Sequence, residues 1–185
     1  LAVIHEANIE FFKYICKTFK NQINILTRNK NGHTACMLAT LDDTHYEMLE
    51  YIYYQFDINQ QNEDGNTELM LAAFVLRDDP WLINQLTRVY RDIIDINLQN
   101  NDGNTALMLA ARYQTKASAV KRLCRVFVDT IDFSIQDKNG NNALMLAAQY
   151  SPDSDVLKTL LEYICLPPQE DEWWWDVYGY EYRCY

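Results

Sequence analysis

The sequence predicts an all-α fold, a solenoid of stacked helix–turn–helix repeats joined by short hairpin loops. The first observation is a recurring line of residues. It reads Asn100-Asn101-Asp102-Gly103-Asn104-Thr105-Ala106-Leu107-Met108-Leu109-Ala110-Ala111, and it returns almost unchanged at 62–73 and 137–148, with a weaker copy at 29–40. The second is spacing: four of the five glycines, at 32, 65, 103 and 140, mark the same point of each copy, 33, 38 and 37 residues apart. A fixed period in that range signals a stack of supersecondary units rather than one globular core. The third is that every copy is followed by a second amphipathic pattern at helical spacing.

Each copy reads physically. The Asp/Asn-Gly step makes a tight turn, with glycine taking a backbone conformation other residues resist. Thr34, Thr67 and Thr105 stand two residues later, with Asn142 in the last copy, where a side-chain oxygen accepts from a free amide and starts a helix. A short apolar helix ending in alanines follows, small enough for a neighbouring helix to come close.

In chain order, Leu1–Ala7 would finish a helix, and Asn8 would cap a second with Ile9, Phe12, Ile15, Cys16 and Phe19 on one face. The second helices of the four copies are predicted at about 45–54 on Met48, Leu49, Ile52 and Tyr53, after Asp79-Pro80 on Trp81, Leu82, Leu86, Val89 and Tyr90, through Val120, Leu123, Cys124 and Phe127, and from Ser154 on Val156, Leu157, Leu160, Leu161 and Ile164. The array therefore spans 1–165, as a partial repeat 1–23 and four complete repeats at about 24–56, 57–94, 95–131 and 132–165. One apolar ladder of Met37, Met70, Met108 and Met145, with Leu69, Leu107 and Leu144 beside it, is expected to run buried through the stack.

The turn followed by Gly-x-Thr and a short Leu-x-x-Ala-Ala helix resembles the ankyrin repeat family, over at least residues 24–165. The chain departs from that family in carrying methionine where its histidine follows the leucine. It also lacks the family's glycine between the two helices, where Asp42-Asp43, Arg77-Asp78-Asp79, Gln114-Thr115-Lys116 and Ser151-Pro152-Asp153 stand instead. With its richness in Asn, Ile and Tyr, the chain is similar to ankyrin repeats of large DNA viruses or intracellular microbes. The resemblance implies a non-enzymatic protein-binding module whose concave face, built of hairpin tips and first helices, meets the partner. Carried over residue by residue, that face comprises Lys30, Asn31 and His33; Glu63, Asp64, Asn66, Phe74 and Val75; Asn101, Asp102, Asn104, Arg112 and Tyr113; and Lys138, Asn139, Asn141, Gln149 and Tyr150. Phe74, Arg112, Tyr113 and Tyr150 stand out, because aromatics and arginine dominate binding hot spots. The family also implies two alternatives, a substrate adaptor for ubiquitin ligation and the regulatory portion of a larger enzyme. Co-purification with a cullin-type adaptor, or the full coding sequence, would discriminate them.

Composition narrows the partners. Sixteen basic against 26 acidic side chains give a net charge of −10, which argues against nucleic acid or an anionic membrane. No apolar run approaches the roughly 20 residues a bilayer requires. Five cysteines at irregular spacing, mostly inside helical patterns, read as buried free thiols of an intracellular, cytoplasmic protein, that of a host cell included. A start at Leu1 is that of a processed, trimmed or partial chain. The histidines His5, His33 and His45 lie on different units with no metal-ligand spacing, and Cys36 beside His33 holds a buried-leucine position, so no catalytic site, metal or cofactor is expected.

Residues 166–185 break the period. Leu166-Pro167-Pro168 stops the last helix, Glu170-Asp171-Glu172 leads to Trp173-Trp174-Trp175, and Asp176 to Tyr185 alternates tyrosine around Gly179 as a short hairpin would. Such a tail either folds back over the last repeat, the favoured reading, or serves as a recognition peptide.

Overall fold

The computed structural model describes residues 9–19, 22, 24, 26–30, 34, 51, 57–75, 81–113, 116–151 and 153–165. Among them are seven helices and no strand: α1 (Ile9–Thr18), α2 (Glu68–Val75), α3 (Trp81–Tyr90), α4 (Ala106–Tyr113), α5 (Ser118–Val126), α6 (Ala143–Tyr150) and α7 (Ser154–Cys165). The first helices pack in one row, α2 on α4 on α6, and the second helices in another, α3 on α5 on α7. Each first helix also packs on the second helix of its own unit. The weaker copy at 29–40, with Met37, and its second helix lie almost wholly outside the described residues.

The helices begin where the sequence places their caps. The Thr67 hydroxyl accepts from the Met70 amide at 3.3 Å, the Thr105 hydroxyl from the Met108 amide at 3.3 Å, and the Asn142 amide oxygen from the Met145 N–H at 3.0 Å. At α4 the bond is returned, since the Thr105 N–H donates to the Met108 sulfur at 3.4 Å. This reciprocal pair satisfies two otherwise free amides, with a thioether doing what a Glu or Gln side chain usually does. It is one local role for the methionine of the repeated line.

Between the rows lies one continuous core. Ala72, Ala73, Ala110 and Ala111 have no exposed surface, which fits their role of letting first helices approach. Leu82, Ile83, Leu86, Val120, Leu123, Val156 and Leu160 close it from the second row. Met70 and Met108 are each 1% exposed, as the ladder requires, but Met145 is 49% exposed and Leu144 is only partly buried. The difference is one of neighbours. Met108 has the α6 unit stacked beyond it, and among the described residues nothing is stacked beyond Met145.

Other apolar positions also face water. Phe19, Val89, Leu161 and Ile164 are exposed, as is Cys165, whereas Cys16 and Cys124 are buried free thiols. Burial pushes the Cys124 thiol up to about 12 and keeps it neutral. Helical periodicity therefore identified the buried face of each second helix but drew it too wide.

Candidate functional site

The hairpins are built by repetition. In each of three copies the Gly N–H closes the turn onto a carbonyl three residues back: Gly65 to Asn62 at 2.8 Å, Gly103 to Asn100 at 2.9 Å and Gly140 to Asp137 at 2.9 Å. The φ angles of these glycines, +77°, +82° and +81°, lie where a Cβ is disfavoured. At Gly65 and Gly103 space forbids a Cβ as well, since it would lie 2.6 Å from the Asn101 nitrogen and 2.9 Å from the Lys138 nitrogen. The next hairpin packs directly on the glycine, and the Asn101 N–H donates to the Asp64 carbonyl while the Lys138 N–H donates to the Asp102 carbonyl, at 2.9 and 3.0 Å.

Side-chain amides fasten the loops further. Asn59 donates to the Ile93 carbonyl at 2.7 Å and accepts from the Asp95 N–H at 2.9 Å. One repeat on, Asn97 does the same with the Thr130 carbonyl and the Asp132 N–H. Gln61 bridges the Gly65 and Gln99 carbonyls, and Gln99 bridges those of Gly103 and Gln136. The sequence marks Asn59 and Asn97 only as the ends of recurring Asp-Ile-Asn segments that lead into the hairpins, and it does not mark Gln61 or Gln99, although the recurrence of glutamine at 61, 99 and 136 is the signal that finds them.

This ladder takes up several residues read from the sequence as partner-facing. The Asn101 side chain donates to the Glu63 carbonyl, and Asn66 accepts from Asn100 at 2.9 Å. Asn104 is 7% exposed, too buried to meet a partner, and its Oδ1 is buried without a hydrogen bond. The cause lies one repeat on. Asn100 gives Asn66 a hydrogen, but Asp137 holds the position of Asn100 in the next copy and has none to give. Asn141 turns back onto its own Asp137. Glu63, Asp64, Asn101, Asp102, Lys138, Asn139 and Gln149 keep exposed side chains, with Asp64 engaged by Arg28 at 2.7 Å. Lys30 is exposed; Asn31, His33 and the Val75 side chain lie outside the described residues.

The four residues singled out for their chemistry come together. At the ends of the first helices, Phe74 meets the Tyr113 ring edge-on, centroids 4.9 Å apart at 79°. The Arg112 guanidinium lies 5.1 Å from the Tyr113 ring centre and 4.4 Å from that of Tyr150. The line Phe74–Tyr113–Arg112–Tyr150 thus crosses three units, with Phe74, Arg112 and Tyr113 half-buried and Tyr150 45% exposed. Cation–π stacking holds Arg112 in place and keeps its fork of donors oriented.

Glu68 is the other unusual group. It opens α2 where the other copies carry Ala35, Ala106 and Ala143, and it is 1% exposed. The Thr34 hydroxyl donates to one of its oxygens at 2.7 Å, while the other is buried without a partner. Burial raises its pKa to about 7 against that hydrogen bond, which acts to lower it. Among the described residues no group of three His, Cys, Asp or Glu could hold a metal ion, and no helix is long and apolar enough to cross a membrane.

A family model described as ankyrin repeats in three copies matches residues 69–171. Among solved structures, the chain is similar to one from the complex of the predatory endopeptidase Bd0816 of Bdellovibrio bacteriovorus with immunity protein Bd3460. The identity is 24% and the TM-score 0.51, over 84% of this chain and 75% of that one, a likeness of fold. No curated protein sequence matches. With the turn, the capped short helix and the two-row stack in place over more than half its length, the chain belongs to the ankyrin repeat family.

Proposed function

We propose that this chain is a non-enzymatic protein-binding module that meets its partner along the hairpin tips and the ends of α2, α4 and α6. Ankyrin repeats are generally protein–protein interaction modules. The observation that carries the reading here is the aromatic–guanidinium line from Phe74 to Tyr150. Three rings and an arginine, fixed by one another across three units, offer a rigid amphipathic strip at little cost in side-chain entropy. The exposed tip residues Glu63, Asp64, Asn101, Asp102, Lys138 and Asn139 form its polar rim.

The test is partner capture with the wild-type chain and with a variant carrying Phe74→Ala, Arg112→Ala and Tyr113→Ala, then titration of any protein the wild type retains. Loss of at least about 2 kcal/mol per true hot spot, with unchanged circular dichroism, is expected. Equal affinity of the two proteins would move the site elsewhere.

A further inference from the structure

Among the described residues nothing is stacked beyond the hairpin and first helix of the last unit, and its second helix carries an exposed apolar stripe. A Cβ on Gly140 would meet nothing within 4 Å, whereas on Gly65 and Gly103 it would strike the following hairpin. Met145 is 49% exposed, against 1% for Met70 and Met108. On α7, Leu157, Leu161 and Ile164 share one stripe, the first half-buried and the others 41% and 42% exposed. Aligned on their buried residues, the earlier units carry Asn84 and Arg88 on α3 with Arg91 just past its end, and Lys121 and Arg125 on α5 with Val128 just past its end, at these positions. The last helix has thus exchanged five polar side chains and a valine for two leucines and an isoleucine. A residue that only faced water would have no reason to make that exchange.

We infer that residues 166–185 of this chain fold back onto this end face, with Trp173, Trp174 and Trp175 seated over Leu161, Ile164 and Met145. In the sequence the segment follows Cys165, the last residue of α7 and one beyond the stripe, and it opens on Leu166-Pro167-Pro168, residues that do not continue a helix. Seven residues separate Cys165 from Trp173, an extended reach of about 23 Å. The stripe from Leu157 to Ile164 is only about 10 Å long along the helix axis. A covalently attached occupant also acts at high effective concentration, so it outcompetes a second copy of the chain at low protein concentration.

Trp81 is the only other tryptophan of the four, so Trp81→Phe in the full chain leaves the tail indoles as sole reporters. Their emission is expected blue-shifted from that of indole in water, and Leu161→Asp with Ile164→Asp should raise acrylamide quenching at least about twofold. The melting temperature provides a second readout. Trp173→Ala, Trp174→Ala and Trp175→Ala together should lower it, and adding the two α7 substitutions should lower it little more, because both remove one contact. Water-like emission in the parent protein, quenching unchanged by the α7 substitutions, or fully additive melting shifts would overturn the assignment. So would protection that disappears on dilution as a dimer dissociates in sedimentation, which would place a second copy on the face.

Discussion

The units around Gly103 and Gly140 carry nearly the same twelve-residue line, yet the structure treats them differently. Met108 is sealed and Met145 is half open; Gly103 lies under the next hairpin and Gly140 under none of the described residues; Asn97 bonds Thr130 and, in the next unit, Asp132, where Ser134 bonds Asp132 of its own unit. What a residue contributes in a stack is therefore decided by the unit beyond it as much as by its own unit. Stability should be read as a sum of units and the seams between them.

The sharpest way to break this comparison is a pair of matched substitutions. Met108→Ala should cost roughly 2–5 kcal/mol in urea unfolding, as a buried large-to-small change that also removes the sulfur acceptor of the Thr105 amide. Met145→Ala should cost less than about half of that, because among the described residues no unit is stacked beyond it. Equal losses would mean that the unit beyond Met108 contributes nothing.

The seam between Thr34 and Glu68 supplies the next test. Glu68 ionises near 4.5 when unfolded and near 7 when folded. Between these values the folded chain holds more protons, so stability falls as pH rises from about 4.5 to about 7 and is flat above. Glu68→Gln should abolish that slope and be more stable than the wild type at pH 8, by on the order of 3 kcal/mol at most. Parallel stability curves for the two proteins between pH 5 and 8 would exclude a buried, largely neutral carboxyl. Asp132, Asp137 and Asp155 act oppositely. In Asp132 the Ser134 hydroxyl and amide hold the carboxyl below its ordinary range, and in Asp155 the Lys158 ammonium does so. In Asp137, burial acts upward but is outweighed by hydrogen bonds from Asn141 and Asn139. Their contribution is present above the usual carboxylate range and is lost as pH falls through their lowered values.

Smaller effects sharpen the contrast at the hairpins. Gly103→Ala meets both a disfavoured φ and the Lys138 backbone, so it should cost about 2 kcal/mol or more in thermal or urea unfolding. Gly140→Ala meets only the φ term, about 1 kcal/mol. Asp137→Asn should stabilise the chain by about 1 kcal/mol at neutral pH, because it keeps the turn acceptor and supplies the donor that Asn104 lacks. An unchanged midpoint in that variant would show that Asn104 is satisfied some other way.

Much of the fold was legible because the chain states it four times. A glycine at one phase, a capping Thr or Asn two residues later and a small residue pair closing the short helix fix turn, helix start and close approach without any long-range information. That Phe74, Arg112, Tyr113 and Tyr150 stand side by side was legible for the same reason, since they occupy equivalent ends of successive helices. Asn104 was not, because its burial depends on a hairpin 33 residues further on. The exposure of Met145 was hidden for a related reason: its own line is indistinguishable from those of the sealed methionines. Glu68 could have been noticed as the one acid among alanines, but its burial against Thr34 is a property of the seam.

The amides at 59, 61, 97 and 99 have a consequence for how such a chain lengthens. Each bonds a main-chain group of the following unit, Asn59 and Asn97 by accepting from an N–H and Gln61 and Gln99 by donating to a carbonyl, and main-chain groups are the same whatever side chains that unit carries. A duplicated stretch of 37 or 38 residues, inserted in phase, would find its fastenings waiting on both sides. Such a unit is interchangeable along the array, leaving the side chains at the ends of the first helices free to diverge with whatever they meet.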